Sequence, residues 1–250
     1  MQRLFFFLLG LLFCCSGCEQ SGNRMKIIGH RGAMGYETEN TLASVDKALE
    51  LGVDMIQIDV FRIRSGELVV FHDPQVDRLT NGNGAVQSFN LLDLKSLLLD
   101  GNHRIPTLQE VLQHVDRRCR VNIEMQGEGV AETLDSVLDY HIEKKGWRPG
   151  EFLVSGEDRH ELGGFRMQNP EIPLAVVAGD DLPEVLKTAT GIDASAIIAE
   201  YSVLTREDVD RIHKAGLLVF CRTVNTRSTA DQLHKMGVDG VLTDYPDRVN

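Results

Sequence analysis

The sequence predicts an α/β fold, a (β/α)₈ TIM barrel over residues 26–250. Eight short runs rich in Val, Ile and Leu alternate along this stretch with helical segments. Strands that are apolar on both faces and alternate with helices are typical of a parallel sheet covered by helices. Eight such strands in roughly 250 residues favour a closed barrel. The alternative, an open doubly wound sheet, would be expected to carry a glycine-rich phosphate loop after its first strand, and the sequence has none there.

The predicted elements follow one another in regular order. The strands are KIIGH (26–30), MIQIDV (55–60), VNIEM (121–125), FLVSG (152–156), LAVVA (174–178), AIIAEY (196–201), LLVFCRT (217–223) and DGVLTD (239–244). Clear helical segments cover 40–51, 130–145, 205–215 and 228–236. The segment LTREDVDRIHKAG has a Thr N-cap signal, acids in its first turn and a terminal glycine, which together define a helix.

Residues 61–110 are predicted to form an insertion, a hairpin plus a loop, after strand 2. ELVVFHD is separated from strand 2 by little more than Ser65-Gly66, whereas a parallel crossover needs about a dozen residues or more. The segment 61–72 must therefore turn back as a hairpin. NGNG at 81–84 is a loop signal, and IPTLQEVLQHV begins the helix that leads to the third barrel strand.

The charge of the chain limits its partners. The formal net charge is −11, and no Lys/Arg run is interleaved with aromatic residues. A nucleic-acid binder needs a basic surface that displaces counterions from phosphates, so that class is not expected. A small anionic substrate, held by a metal ion or by a few arginines, remains compatible with this charge.

The first 18 residues differ from the rest of the chain. One arginine precedes an apolar run, Leu4 to Phe13, whose length is that of a signal-peptide core and too short for a transmembrane helix. CSGC at 15–18 resembles the cleavage box of bacterial lipoproteins, in which Cys18 would carry the lipid. Residues 19–25 then form a short linker, and we expect an exported protein, periplasmic or attached to the outer membrane. The alternative is an ordinary cleaved signal peptide. Cys119 and Cys221 are expected to be buried free thiols.

Polar side chains cluster at the predicted C-terminal strand ends, where the active sites of TIM barrels lie. Gln57 and Asp59 are two apart on strand 2 and therefore share its inward face. Glu124 lies near the end of strand 3, and this set of oxygen atoms suits Ca²⁺ or Mg²⁺ better than zinc. His30 and Arg31 follow strand 1, a pairing that suits an anion.

Further polar residues lie on the hairpin, at other strand ends and on helices or loops. His72 lies on the hairpin without an obvious structural reason, Arg222 ends strand 7, and Asp244 ends strand 8. The remaining histidines lie in helical or loop segments and are expected on the surface. They are His103, His114, His141, His160, His213 and His234.

Several motifs in order resemble the glycerophosphodiester phosphodiesterase family. They are GHRGAMGYETENTLAS, GVDMIQIDVFRIRSGELVVFHDP, DRLTNGNG, IPTLQEVL, NIEMQ, HKAGLLVFCRTVN and MGVDGVLTDYPD, and they span about residues 26–248. The resemblance implies a metal-dependent phosphoric diester hydrolase that releases glycerol 3-phosphate and an alcohol. It implies an acid–base pair in His30 and His72, a phosphate contact in Arg31 and a glutamate beside the site in Glu39. It also implies metal ligands in Asp59 and Glu124.

The sequence departs from the family pattern at four places. Gln57 stands where the family has a glutamate, and Gln126 stands where it has a lysine. Arg222 replaces a tryptophan, and Ser155-Gly156 replaces a serine–phenylalanine pair. We expect the loss of an anionic ligand at residue 57 to weaken cation binding, and we hypothesise that Arg222 neutralises phosphate in place of the missing lysine. The alternatives are a phosphodiesterase with another head group or a lysophospholipid as its substrate, and a non-catalytic protein that binds glycerophosphodiesters.

Overall fold

A computed structural model describes residues 24–179 and 181–250. The predicted signal peptide, Cys18 and residues 19–23 of the linker lie outside the described residues. Within the described residues, nine strands form one sheet. They are β1 (Lys26–Gly29), β2 (Met55–Arg62), β3 (Leu68–Val70), β4 (Arg120–Gln126), β5 (Phe152–Gly156), β6 (Leu174–Val177), β7 (Ala196–Glu200), β8 (Leu218–Arg222) and β9 (Gly240–Thr243).

Eight of these strands close into a parallel barrel, which confirms the predicted fold. The order is β1-β9-β8-β7-β6-β5-β4-β2, and β1 also pairs with β2. In the long β2–β4 pairing Asp59 lies opposite Glu124 and Gln57 lies opposite Asn122. This register brings the predicted carboxylates next to each other on adjacent strands.

Helices cover the outside of the barrel. They are α1 (Leu42–Glu50), α2 (Leu91–Ser96), α3 (Leu108–Val115), α4 (Ala131–Lys145), α5 (Arg159–Gln168), α6 (Leu182–Gly191), α7 (Arg206–Lys214), α8 (Arg227–Met236) and α9 (Pro246–Val249). Of these, α2 packs in the insertion and not on the barrel. The capping signal before α7 is confirmed, because the Thr205 side chain accepts from the Asp208 N–H while Asp208 accepts from the Thr205 N–H. No helix in the described part of the chain has the length and apolarity needed to cross a membrane.

The insertion is a hairpin with a small core of its own. β3 runs antiparallel to the end of β2, as predicted, with Val60 opposite Val70. Three short 3₁₀ helices (Val76–Arg78, Val86–Ser88 and Asp100–Asn102) and α2 complete it. Apolar side chains from the hairpin, these helices and the segments between them bury one another separately from the barrel: Phe61, Ile63, Val69, Phe71, Val76, Val86, Leu94, Leu99 and Ile105. This core fixes the chain on both sides of His72, because Phe71 and Val76 are part of it.

One surface prediction is wrong. His141 lies on α4 and is buried, with its ring at right angles to that of Trp147. The charged residues Glu143, Lys144 and Lys145 that follow it favour an exposed position, but His141 shares the buried face of α4 with Val137 and Leu138. The two free thiols differ slightly: Cys221 is fully buried and Cys119 is half-buried.

Candidate active site

The turn after β1 places His30 and Arg31 at the mouth of the barrel. Arg31 adopts a left-handed conformation (φ 50°) and Gly32 follows it at φ 85°. A Cβ atom on Gly32 would lie 2.4 Å from the Ser44 Oγ, so only glycine fits against α1 here. The Arg31 N–H donates to Gln57 Oε1 at 2.9 Å, and the Arg31 carbonyl accepts from the Ser44 hydroxyl at 2.9 Å. The Gly-His-Arg-Gly sequence is therefore a tight turn that is tied to β2 and α1.

His30 is oriented by a carboxylate from the end of β9. Its Nδ1 lies 2.7 Å from Asp244 Oδ1, and the other Asp244 oxygen accepts from Asn225 Nδ2 at 2.7 Å. Asn225 also accepts from the Asp244 N–H at 2.9 Å. Burial opposes ionisation of Asp244, but the hydrogen bonds from His30 and Asn225 outweigh it and lower its pKa. An ionised Asp244 favours the tautomer with the proton on Nδ1, so that Nε2 is the unprotonated nitrogen of the neutral His30 ring.

His72 has an equivalent arrangement on the hairpin. Its Nδ1 lies 2.7 Å from Asp73 Oδ1, and the imidazole is 35% exposed. The Arg78 guanidinium contacts both oxygens of Asp73. Hydrogen bonds from Arg78, and then from His72, lower the pKa of Asp73 to about 2. Each histidine is thus held through Nδ1 by an ionised aspartate.

Glu39 links the two halves of the site. The Arg31 Nη1 donates to Glu39 Oε1 at 2.7 Å, and Arg78 donates to both Glu39 oxygens at 2.8 and 3.0 Å. Burial opposes ionisation of Glu39, but the two arginines lower its pKa overall. A continuous set of ion pairs therefore runs from Arg31, next to His30, to Asp73, next to His72.

Asp59 and Glu124 face each other inside the barrel mouth, where both are almost fully buried. Gln57 Nε2 donates to Asp59 Oδ1 at 3.1 Å and to Glu124 Oε2 at 3.3 Å. Gln126 Nε2 donates to Asp59 Oδ1 at 3.1 Å and to Glu124 Oε1 at 3.5 Å. Burial, together with the adjacent Asp59 carboxylate, raises the pKa of Glu124.

Arg222 ends β8 and reaches across the mouth to three carboxylates. Its Nη1 lies 3.2 Å from the buried Glu124, Nη2 lies 3.3 Å from Glu157, and Nε lies 3.2 Å from Glu200. The Glu157 and Glu200 side chains are mostly exposed, whereas Arg222 is 21% exposed. An incoming anion can therefore replace two solvated partners of this guanidinium without disturbing its contact with Glu124.

The family model of the glycerophosphoryl diester phosphodiesterases matches residues 30–248. The chain belongs to this family.

Individual members support the assignment. The chain is 35% identical over 243 residues to YhdW of Bacillus subtilis, covering 89% of this chain and 96% of YhdW. It is 32% identical to the glycerophosphodiester phosphodiesterase of Caldanaerobacter subterraneus, covering 88% and 94%. A phosphodiesterase of Oleispira antarctica, solved in complex with the product sn-glycerol-3-phosphate, is 28% identical with a TM-score of 0.82, covering 90% and 94%. By family and by fold the chain is an enzyme, a phosphodiesterase.

In this phosphodiesterase the predicted site residues share one end of the barrel and are joined by direct contacts. One set connects Arg31, Glu39, Gln57, Asp59, Glu124 and Arg222, and the turn that carries Arg31 also carries His30. His72 joins through Asp73 and Arg78. Their individual roles stay predictions.

Four site residues were not assigned from the sequence. Asp73 resembles ordinary turn chemistry before a proline. Arg78 ends a single 3₁₀ turn and Asn40 lies just before the N-cap of α1, so no periodic pattern indicates either side chain. Asn40 Nδ2 donates to Asp59 Oδ2 at 2.9 Å. The position of Asp244 at a strand end indicates that it lies at the barrel mouth but does not indicate its role. The adjacent pair His72-Asp73 is the one sequence signal for these residues, because an aspartate beside a histidine can orient the imidazole by a hydrogen bond.

One group of side chains has the composition of a cation site. Glu39, His72 and Asp73 each present one ligand atom, and these atoms lie within 4.8 Å of one another. The Arg78 guanidinium already donates to Glu39 and Asp73. A cation here would have to displace Arg78 or share its two carboxylates.

Proposed function

We propose that this protein hydrolyses a glycerophosphodiester, such as glycerophosphocholine, to sn-glycerol 3-phosphate and an alcohol. The observation that carries the proposal is the pair of histidines at the barrel mouth, each held through Nδ1 by an aspartate. Hydrolysis of a phosphodiester needs a base for the nucleophile and an acid for the leaving alkoxide. Two imidazoles that are oriented in this way can perform both proton transfers. The solved relative in complex with sn-glycerol-3-phosphate supports this choice of product.

The phosphoryl oxygens also require positive charge. Arg31 and Arg222 each contact one member of the carboxylate pair, Arg31 at 3.4 Å from Asp59 and Arg222 at 3.2 Å from Glu124. We infer that both guanidinium groups contact the phosphate, Arg31 beside His30 and Arg222 in place of the family's lysine.

A divalent cation, Ca²⁺ or Mg²⁺, is the further source of charge that the resemblance implies. Asp59 and Glu124 have suitable oxygen atoms, but Gln57 does not fit as the third ligand. Its oxygen accepts from the Arg31 N–H, and its nitrogen faces both carboxylates. No step of the reaction is therefore assigned to a cation.

The second candidate function is binding of glycerophosphodiesters without hydrolysis. The observation that favours it is the replacement of the charged family residues at 57 and 126 by amides. A binding protein would hold the substrate with Arg31 and Arg222 and release no product. A phosphodiesterase for another head group would release glycerol 3-phosphate from a different diester.

The test is glycerol 3-phosphate release from a panel of glycerophosphodiesters by the full chain, kept in solution with a non-ionic detergent. We expect turnover that falls by about 10²- to 10⁴-fold in His30→Ala and in His72→Ala, since a positioned acid or base contributes that much. His160→Ala on the exposed face of α5 serves as the matched control and should keep full activity. Bound but unconverted substrate with the wild-type chain would favour the binding protein instead.

We also propose that the protein is exported and anchored by a lipid on Cys18, at the periplasmic face of a membrane. The support is the apolar run 4–13 followed by CSGC. Metabolic labelling with a radioactive fatty acid should mark the wild-type chain but not Cys18→Ser. Equal labelling of both would refute the anchor.

A further inference from the structure

The Asp59–Glu124 carboxylate pair is completely supplied with hydrogen-bond donors from the chain itself. Asp59 Oδ1 accepts from Gln57 and Gln126, and Oδ2 accepts from Asn40 at 2.9 Å and lies 3.4 Å from Arg31 Nε. Glu124 Oε1 accepts from Gln126 and Arg222, and Oε2 accepts from Gln57. Each of the four oxygen atoms therefore faces at least one N–H group.

The orientation of the Gln57 amide is fixed by its surroundings. Gln57 is 1% exposed, with the Arg31 N–H on one side and two carboxylates on the other. An amide has its acceptor at one end and its donors at the other. In the reverse orientation the NH₂ group would oppose a backbone N–H, and the oxygen would oppose two anionic oxygens. Only the observed orientation pairs every donor with an acceptor.

This orientation excludes Gln57 as a cation ligand. A Ca²⁺ or Mg²⁺ ion needs oxygen atoms at about 2.0–2.6 Å, but the Gln57 atom that lies between the two carboxylates is a nitrogen carrying protons. A glutamate at this position would have two acceptor oxygens, one for the Arg31 N–H and one for a cation. Glutamine has a single oxygen, and the Arg31 turn already uses it. The difference between the two residues is thus a difference in acceptor number as well as in charge.

Gln126 strengthens the same conclusion from the neighbouring strand. Its NH₂ group makes a second bridge between Asp59 and Glu124. This bridge uses Glu124 Oε1, whereas the bridge from Gln57 uses Oε2. Two guanidinium groups also contact the two carboxylates, Arg31 beside Asp59 and Arg222 beside Glu124. Two amides and two arginines therefore meet the requirements for which a buried acid pair would otherwise need a metal ion.

We propose that amide and guanidinium groups hold the Asp59–Glu124 pair in place of a divalent cation, so that arginines supply the positive charge of the phosphate site. The inference concerns the proposed active site and rests on the proposed function for its catalytic meaning. The replacement of Glu by Gln at residue 57 is then matched by the arginine at residue 222. The site has changed its source of positive charge and has kept its carboxylates as supports for Arg31 and Arg222.

The test is a cation titration that is read by protein unfolding. Trp147 is the single tryptophan of the sequence and is 3% exposed, so its fluorescence reports unfolding of the full chain in detergent. The wild-type melting temperature should be the same in EDTA and in millimolar Ca²⁺ or Mg²⁺. Gln57→Glu should melt lower than wild type in EDTA, because three carboxylates then repel one another. A hundredfold excess of Ca²⁺ over its Kd should raise the melting temperature of this variant by roughly 5 °C or more.

Gln113→Glu adds the same charge on the exposed face of α3 and is the matched control. Its melting temperature should be the same in EDTA and in Ca²⁺. A wild-type chain that is stabilised by Ca²⁺ or Mg²⁺ would overturn the proposal, and so would a Gln57→Glu variant that folds but gains no response. If that variant does not fold, isothermal titration of the wild type decides. Absence of binding supports the proposal, and a submillimolar Kd overturns it.

Activity separates this inference from the proposed function. Glycerol 3-phosphate release by the wild type that is equal in EDTA and in Ca²⁺ supports both. Release that is lost in EDTA and restored by Ca²⁺ keeps the hydrolase and overturns the inference. A wild type that releases no product under any condition overturns the proposed function, while the cation titration still decides the inference.

Discussion

Replacement of Asp244 by asparagine tests how His30 is held. Asp244 accepts two hydrogen bonds of 2.7 Å, from His30 Nδ1 on one oxygen and from Asn225 Nδ2 on the other. Asparagine has one acceptor oxygen, so one of these bonds must be lost whichever way its amide turns. If the new NH₂ group faces His30, the imidazole proton moves to Nε2, and the reactive nitrogen can no longer act as a base.

The size of the effect follows from the lost bond. A hydrogen bond to a charged partner contributes about 1.5–3 kcal/mol, which corresponds to about a 10- to 150-fold fall in kcat. Steady-state release of glycerol 3-phosphate measures it, and we expect the loss in kcat rather than in KM. Asp231→Asn, an exposed residue on α8 that pairs with Arg227, is the matched control. A folded Asp244→Asn protein with wild-type kcat would show that the carboxylate does not position His30.

The remaining predictions concern charge, pH and packing. Arg222→Ala should raise KM and lower kcat, because a phosphate contact is removed along with the partner of Glu124; unchanged values of both would refute its phosphate role. Asp73→Asn should be less stable than wild type by about 1 kcal/mol near neutral pH, since its partners are partly exposed and screened. The Asp73 pKa is lowered to about 2, so this difference in unfolding free energy should be fully present above about pH 4 and should disappear as the pH falls toward 2. Urea unfolding at several pH values measures the difference, and a difference that does not change with pH contradicts the prediction. Leu112→Ala, fully buried on α3, should cost about 2–5 kcal/mol of unfolding free energy. Leu92→Ala, 85% exposed on α2, should stay within about 0.5 kcal/mol, and equal losses in the two variants would refute the assigned core.

The barrel could be predicted because its signals are local and repeated. Each of the eight strands is a short run rich in β-branched residues between polar segments. This pattern alone is enough to identify a buried parallel strand. The sequence does not predict helices α5 and α6, since α5 contains Gly163-Gly164 and α6 has a proline in its first turn. Their helical state depends on packing against the barrel and on the caps Asp158 and Asp181.

The site was predictable to the extent that its residues lie at strand ends. The alternation of a strand places Gln57 and Asp59 on one face, and the structure confirms that they lie together with Glu124. The partners of these residues come from loops distant in sequence, and no periodicity indicates them. Arg78 reaches Glu39 across 39 residues, and Asp244 reaches His30 across 214. The direction of the Gln57 amide likewise depends on the Arg31 turn, which only the folded chain reveals.

We propose that His30 and His72 divide the two proton transfers of a phosphodiester hydrolysis. The most direct measurement compares kcat of His30→Ala and His72→Ala on glycerophosphocholine and on a glycerophosphodiester with a p-nitrophenyl leaving group. A nitrophenolate departs without a proton, so the variant that lacks the general acid should lose activity on glycerophosphocholine and keep activity on the nitrophenyl substrate. The variant that lacks the base should lose both. Equal losses of both substrates in the two variants, or no loss in either, would contradict the account.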